Sequence, residues 1–161
     1  MAVREILRYP HPSLKAVCED PDPSDVDRVV ADLLDTMGSF DHCVGLAAPQ
    51  LDELVRIVVV DVSEHPKATT SHGRLVLVSP RVVLQEGAEV AREGCLSIPH
   101  LTANVRRATR VVIEARDDVR VETEGFEARC LLHEIDHLDG ILFLDRVDSL
   151  ATDVFRRKTY R

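Results

Sequence analysis

The stretch LLHEIDHLDG, Leu131 to Gly140, contains two histidines four residues apart, with a glutamate directly after the first. On an α-helix, residues i and i+4 lie on one face about 6 Å apart along the axis, so His133 and His137 can bind one metal ion. This is the HExxH pattern, in which the glutamate, here Glu134, serves as a general base beside the metal. The stretch therefore predicts a metal-binding helix and leaves the third ligand open.

The helix that carries this pattern is predicted to begin near Phe126 and to stop at Gly140. Its core stripe consists of apolar residues at helical spacing, namely Ala128, Leu131, Leu132, Ile135 and Leu138. Cys130 lies with Phe126 and the motif residues on the neighbouring flank. We therefore expect both histidines at the edge of the buried face, where a pocket can open.

The composition, with 45% hydrophobic and 30% charged residues, is typical of a globular protein, and we expect a single domain over residues 1–161. The apolar runs are too short to span a bilayer, and no signal peptide is evident, so we expect a cytoplasmic location and no membrane partner. In that reducing compartment the four cysteines are expected as thiols or metal ligands. The net charge of -8 argues against binding to DNA.

Periodicity elsewhere predicts a second helix and several strands. Residues 23–40 have apolar positions at helical spacing, with Ser24 placed as the N-cap and Gly38 as the stop, which indicates a packing helix. β-branched or alternating stretches predict strands within VRIVVVDV (55–62), GRLVLVSPRVVLQ (73–85), NVRRATRVVIEARD (104–117) and VRVETEG (119–125).

Two segments are predicted to lack a structural core of their own. The first, residues 65–74, is predicted to be a mobile loop in which His65 and His72 are solvated. The second, residues 148–161, is predicted to form a short C-terminal helix or tail. Because this tail is basic at its end, it supports one non-enzymatic alternative, in which the protein is a ribosome-associated binding module.

The third metal ligand distinguishes between enzyme classes. Metalloproteases that extend HExxH with a third histidine are excluded, because Phe143 stands at that position, and no glutamate follows Glu134 to complete a thermolysin-like site. An aspartate-completed metallopeptidase remains open, with the downstream candidates Asp145, Asp148 and Asp153. The upstream stretch REGCLSIPH offers Cys95, whose thiolate with two imidazoles would leave a position for water, as expected of a catalytic metal.

A third unusual stretch is CVGLAAPQ, Cys43 to Gln50, which is small and apolar with a single amide at its end. Such a segment lets a substrate backbone approach closely, although a tightly packed turn has the same composition.

In this order, CVGLAAPQ, EGCLS and HEIDH resemble the three signature motifs of the peptide deformylases. The likeness also includes ILRYPHPSLKAVCE, VRRATRVVIEARD and LDGILFLDRV, so that it extends from Ile6 to Val147. It implies an α+β fold with antiparallel sheets around a central metal-binding HExxH helix. It also implies an enzyme that hydrolyses the N-formyl group of formyl-methionine on nascent polypeptides and releases formate.

The resemblance implies a role for each site residue. The metal ligands would be Cys95, His133 and His137, with Glu134 as general acid and base and with Gln50 and the backbone N–H of Leu96 stabilising the oxyanion. The substrate would contact Val44, Gly45, Glu93, Arg107, Phe126, Arg129 and Cys130, with Gly45 pairing through its main chain and Arg107 near the distal portion. The metal would be Fe(II) in the cell, with zinc, nickel or cobalt possible in purified protein.

Two positions depart from the family pattern, which usually has glycine at Cys43 and glutamine at Leu132. A side chain at Cys43 could narrow the substrate groove, and loss of an amide before the first histidine removes a hydrogen-bonding partner near the metal. A second interpretation is therefore a deformylase-like protein with weak activity or with another formylated substrate. The expected partners are N-formylmethionyl peptides and, transiently, the ribosome.

Overall fold

The structure, a computed structural model, describes residues 2–158. Within this range two α-helices are present, α1 (Pro23–Gly38) and α2 (Gly125–Leu138). Three short 3-10 turns lie at Pro12–Lys15, Ala48–Leu51 and Phe143–Arg146. None of the helices in residues 2–158 has the length and apolar character needed to cross a membrane.

The strands of the described range form three antiparallel three-stranded sheets. The first contains β1 (Gly45–Ala47), β2 (Ile57–Val60) and β3 (Leu75–Val78). The second contains β4 (Arg81–Glu86), β7 (Arg110–Ala115) and β8 (Val119–Glu124). The third contains β5 (Glu89–Cys95), β6 (Ile98–Arg107) and β9 (Val154–Arg156). The predicted α+β class is confirmed, as are strands in all four stretches predicted from periodicity.

Helix α1 packs its apolar face against the first sheet through Val29 and Leu33. Its N-cap is Asp22 rather than the predicted Ser24, because the carboxylate of Asp22 accepts the backbone N–H of Ser24 at 2.9 Å. Pro23 then occupies the first helical position, where its missing N–H costs nothing. The prediction placed the cap two residues too late because it took no account of this proline.

Helix α2 lies at the centre of the fold, against β1, β2, β7 and β8. The predicted apolar stripe is confirmed, since all of its residues are buried: Ala128, Leu131, Leu132, Ile135 and Leu138. Burial extends to the motif flank as well, because every residue from Glu127 to Leu138 is buried. The histidines are therefore buried, and the low-dielectric surroundings strengthen every electrostatic contact that they make.

The β5–β6 hairpin brings Cys95 to this helix. Cys95 pairs with Ile98 across a two-residue turn formed by Leu96 and Ser97, and the register shifts between Gly94 and Cys95. Such an irregularity re-aims the side chain at a strand end. As a result the thiol at the end of β5 faces the imidazoles of α2.

The C-terminal segment differs from the prediction. In place of a helix or tail after residue 148, β9 pairs with the outer edge of β6, with Phe155 opposite Thr102 and Arg156 opposite Leu101. The backbone N–H of Arg157 also donates to the carbonyl of His100 at 2.8 Å. The open edge of β6 supplies the hydrogen bonds that the segment lacks by itself. The last part of that prediction, 159–161, lies outside the described residues.

Candidate metal centre and catalytic cavity

Three side chains converge where the β5–β6 hairpin meets helix α2. The sulfur of Cys95 and one ring nitrogen each of His133 and His137 lie within 4.8 Å of one another, and His137 Nε2 is 3.5 Å from Cys95 Sγ. Burial alone would raise the pKa of the Cys95 thiol, but His137 and His133 outweigh it and hold that pKa well below its ordinary value. The favoured thiolate is the form that binds metal. These three donors therefore fit one divalent ion.

Glu134 lies next to this cluster and is buried. Burial raises the pKa of its carboxyl above the ordinary value, and the neighbouring imidazoles oppose this only in part. Its Oε1 atom has no hydrogen-bond partner among residues 2–158, so this oxygen is free to accept a proton as a general base. Gly45 makes room for it, because a Cβ at that position would lie 2.8 Å from Glu134 Oε2.

Glu93 fixes the orientation of the first histidine. Its Oε1 is 2.9 Å from His133 Nδ1, while its other contacts are ion pairs to Arg107 at 2.8 Å and to Arg129 at 2.6 Å. Burial opposes ionisation, but hydrogen bonds from Arg107 and His133 hold the pKa of Glu93 well below its ordinary value. The ionised carboxylate accepts from Nδ1–H of His133 and leaves Nε2 for the metal.

Arg107 is placed differently from its predicted role near the distal portion of the substrate. Its side chain is 3% exposed and lies outside the cavity lining. It bridges Glu93 and Asp136, with Nη1 at 2.6 Å from Asp136 Oδ2, and Asp136 also pairs with Arg146. The predicted position of Arg107 was therefore wrong. Its guanidinium pairs with the buried carboxylates of Glu93 and Asp136, and these ion pairs support the metal-binding helix from outside the cavity.

Gln50 and Leu96 face the same cavity as the cluster. The backbone N–H of Ala47 donates to Gln50 Oε1 at 3.0 Å, which assigns the amide orientation. The Nε2 atom is therefore directed to Ser97 Oγ at 3.1 Å and toward Cys95 Sγ at 3.6 Å. Ser97, fully buried, was not singled out in the sequence, because a serine in a turn carries no signal of its own. It holds the amide so that one N–H points at the cluster.

The cavity in front of the cluster measures about 1320 Å³. The predicted substrate residues that line it are Val44, Gly45, Glu93, Phe126, Arg129 and Cys130. His65 also lines it and stacks on Phe126, with ring centroids 4.3 Å apart. His72 meanwhile contacts the buried Glu127 through its backbone N–H at 2.7 Å. The prediction that His65 is solvated is therefore wrong, because His65 is half-buried against Phe126. His72 is exposed, as predicted, although it contacts Glu127.

The downstream aspartates lie away from the cluster. Asp145 accepts from the backbone of Leu142, Asp148 pairs with Arg106, and Asp153 accepts from Ser149. In residues 2–158 the group of side chains able to hold a metal consists of Cys95, His133 and His137. This arrangement removes the structural basis for a metallopeptidase with an aspartate ligand.

A family model for polypeptide deformylase matches residues 3–153 of the chain. The chain belongs to the polypeptide deformylase family. It is 42% identical to peptide deformylase 1 of Vibrio vulnificus over 163 residues, which cover 98% of this chain and 94% of that protein. The crystal structure of a peptide deformylase from Legionella pneumophila has a TM-score of 0.80 and 35% identity, covering 92% of this chain and 88% of that chain.

A peptide deformylase from Acinetobacter baumannii, solved with Met-Ala-Ser bound, is similar as well. Its TM-score is 0.79 at 28% identity, covering 91% of this chain and all of that chain. Polypeptide deformylases are metal-dependent hydrolases that remove the N-formyl group from nascent polypeptides, and this chain is a hydrolase of that family. The predicted family and enzyme class are confirmed.

The two departures from the deformylase pattern have different surroundings. Leu132 is buried in the core cluster and lies outside the cavity. Cys43 lies in the cavity lining, and its thiol donates to the carbonyl of Gly45 at 3.3 Å. Burial, followed by the charge of Glu134, raises the pKa of Cys43 to about 12, so the thiol keeps its proton. A deformylase with glycine here would leave that carbonyl free.

Proposed function

We propose that Cys95, His133 and His137 hold one divalent metal ion with which this chain hydrolyses formyl-methionyl peptides, and that Glu134 is the general acid and base. The observation that carries the proposal is the meeting of these three donors with a buried carboxylate oxygen that lacks a partner among residues 2–158. A divalent metal held by these residues would lower the pKa of a bound water to about 7, which would provide a nucleophile able to attack a formamide near neutral pH.

The metal itself is proposed to be Fe(II) in the cell, with zinc, nickel or cobalt in protein purified in air. A cysteine and two histidines suit zinc on coordination grounds, and the family resemblance favours ferrous iron. Glu93 supports the affinity for either metal, because it holds His133 in the tautomer with a free Nε2.

Glu134 would move the proton. Its pKa is raised by burial, which brings it toward the working pH of a general base. It takes a proton from the attacking water and later returns it to the departing amine. Gly45 keeps the carboxylate in place for both steps, since β1 passes close to it without a side chain.

Gln50 and the backbone N–H of Leu96 would stabilise the negative charge that develops on the formyl oxygen. The amide of Gln50 is held on two sides, by Ala47 and Ser97, so it needs no reorganisation during the reaction. A preorganised donor of this kind contributes about 3 kcal/mol in other enzymes.

The methionine side chain would occupy the part of the cavity lined by Val44, Phe126 and Cys130, with His65 packed beside Phe126. Glu93 and Arg129 would form its inner wall through their mutual ion pair. Selection for formyl would follow from the narrow space between Gly45 and Glu134, which admits hydrogen on the acyl carbon more readily than a methyl group. We further propose that residues 1–161 act as one catalytic domain in the cytoplasm and meet the ribosome transiently.

The test measures formate release from formyl-Met-Ala-Ser by protein purified without oxygen, with its metal content determined. Glu134→Gln should keep one metal ion while kcat falls by about a hundred- to ten-thousandfold. Glu122→Gln, an exposed glutamate on β8, is the matched control and should behave as wild type. Acetyl-Met-Ala-Ser should be a poor substrate.

Protein with a full complement of metal that releases no formate would overturn the proposal, as would full activity in Glu134→Gln. The ligand set is tested by a second pair of variants. Cys95→Ser should lower metal affinity strongly, whereas Asp145→Asn should keep the metal.

A further inference from the structure

The rim of the cavity carries a group of cations, here called the basic rim, consisting of Lys67, Arg92, Arg156, Arg157 and Lys158. All five are exposed, and none of them forms an ion pair with a carboxylate of residues 2–158. Some exposed arginines elsewhere, for example Arg28 and Arg106, do form such pairs. In a chain of net charge -8, unpaired cations gathered at one opening indicate an anionic ligand.

Strand β9 carries the basic rim to the metal-binding hairpin. Thr102 of β6 pairs with Gly94 on one side and with Phe155 on the other. Since alternate residues of a strand share a face, Phe155 and Arg157 both face the cavity. Gly94 directly precedes Cys95, so the basic rim begins within a few ångströms of the metal-binding side chains.

Arg92 is held in a fixed orientation. Its guanidinium carbon lies 3.8 Å from the centroid of the Phe155 ring, a cation–π contact. Its Nε is 3.2 Å from Asn104 Oδ1, and its Nη1 is 3.3 Å from Thr102 Oγ1. The Nη2 atom has no partner within residues 2–158, and it can donate to a ligand without first ordering the side chain.

Arg157 lies beside Arg92 along the same wall. Its Nη2 atom rests against Gly94, where any side chain would collide with it. Acidic groups in the lining are few. Glu93 is committed to Arg107, Glu134 faces the cluster, and Asp41 is the remaining carboxylate of the described lining. The wall is therefore positive where a peptide would leave the catalytic cluster.

We propose that the basic rim selects formylated peptides with acidic side chains in the residues that follow the formyl-methionine. The proposal rests on the proposed function, since it concerns the same cavity. An extended peptide advances about 3.3 Å per residue, so the second to fourth residues reach this wall when the formyl group is at the cluster. A peptide fits better than RNA, because Arg92 and Arg157 line a concave cavity and the chain as a whole repels a polyanion.

The experiment compares kcat/KM for formyl-Met-Ala-Ser, formyl-Met-Ala-Glu-Glu and formyl-Met-Ala-Lys-Lys, all with amidated C-termini, on the metal-loaded protein. The glutamate peptide should exceed the lysine peptide roughly tenfold at low ionic strength, because two exposed ion pairs each contribute up to a few-fold. The preference should fall to about twofold at high salt through screening. Arg92→Ala and Arg157→Ala should each reduce it about threefold.

Arg81→Ala removes an exposed cation on β4 outside this cavity and should leave the preference unchanged. Equal turnover of the three peptides would overturn the inference while leaving the proposed function intact. Weaker ribosome co-sedimentation of Arg157→Ala with an unaltered peptide preference would also overturn it, in favour of RNA. If even the neutral peptide is not hydrolysed by metal-loaded protein, the proposed function fails and the inference fails with it.

Discussion

The cavity has two walls that differ in burial and in the fate of their charges. The helix wall, formed by Phe126, Cys130, His133 and Glu134 of α2, is mostly buried. Its His133 is held by Glu93 and belongs to the metal-binding group, and Glu134 Oε1 has no partner in residues 2–158. The strand wall, formed by residues 43–45 and 92–95 with β9, ends in exposed cations without carboxylate partners in residues 2–158. Chemistry is thus concentrated where groups are desolvated, and substrate selection is expected where side chains stay accessible.

The two walls meet where Gly45 of the strand wall approaches Glu134 of the helix wall. A side chain added at Gly45 is expected to have the largest effect on activity. In Gly45→Ala the new methyl group would meet Glu134 Oε2 at 2.8 Å, and the buried carboxylate would have to move. We expect kcat for the formyl peptide to fall about a hundredfold at unchanged metal content, since misplacing a catalytic group by about 1 Å costs this much.

Gly38→Ala is the control for this change, because a Cβ at Gly38 has no neighbour within 4 Å. It should retain full activity. Wild-type kcat in Gly45→Ala would mean that the helix wall does not depend on the close approach of β1.

The next largest effect is expected from replacing Arg107, whose ion pairs support the helix wall. In Arg107→Leu, Glu93 and Asp136 lose a shared buried partner, and the free energy of unfolding should fall by about 3 kcal/mol. Metal affinity should fall about tenfold or more, because Glu93 orients His133. Denaturant unfolding and metal titration measure the two quantities.

The adjacent Arg106 supplies the matched control, since it pairs with Asp148 at the surface with its side chain 56% exposed. Arg106→Leu should change the free energy of unfolding by less than about 1 kcal/mol. If Arg107→Leu leaves stability intact and raises KM for long peptides only, then Arg107 contacts the substrate after all.

The smallest effect is expected in the strand wall, at Cys43. Replacement by glycine frees the carbonyl of Gly45 from the thiol and should raise kcat/KM about threefold, the value of a modest hydrogen bond. Cys43→Ser keeps a donor at the same place and should not show the gain. Equal gains in both variants would attribute the restriction to the size of the side chain, and no gain in either would show that Cys43 leaves substrate pairing unhindered.

The helix wall could be predicted from the sequence, while much of its surroundings could not. The start of α2, its apolar stripe and the common flank of His133 and His137 follow from spacing alone. Arg107 was misplaced because nothing in its neighbourhood along the chain indicates that Glu93 and Asp136, at separations of 14 and 29 residues, share its guanidinium. His65 was misjudged for the same reason, because its partner Phe126 belongs to a distant helix.

What the sequence by itself determined is the catalytic helix, because the hydrogen bonds and side-chain spacing of a helix connect residues only three or four positions apart. His133, Glu134 and His137 are therefore set by one short stretch. Only the tertiary structure decided the approach of Cys95 in its hairpin, the ion pairs behind α2 and the docking of β9 on the open edge of β6. Strand pairing and buried ion pairs join residues far apart in the chain, so their partners are chosen by packing and not by local pattern.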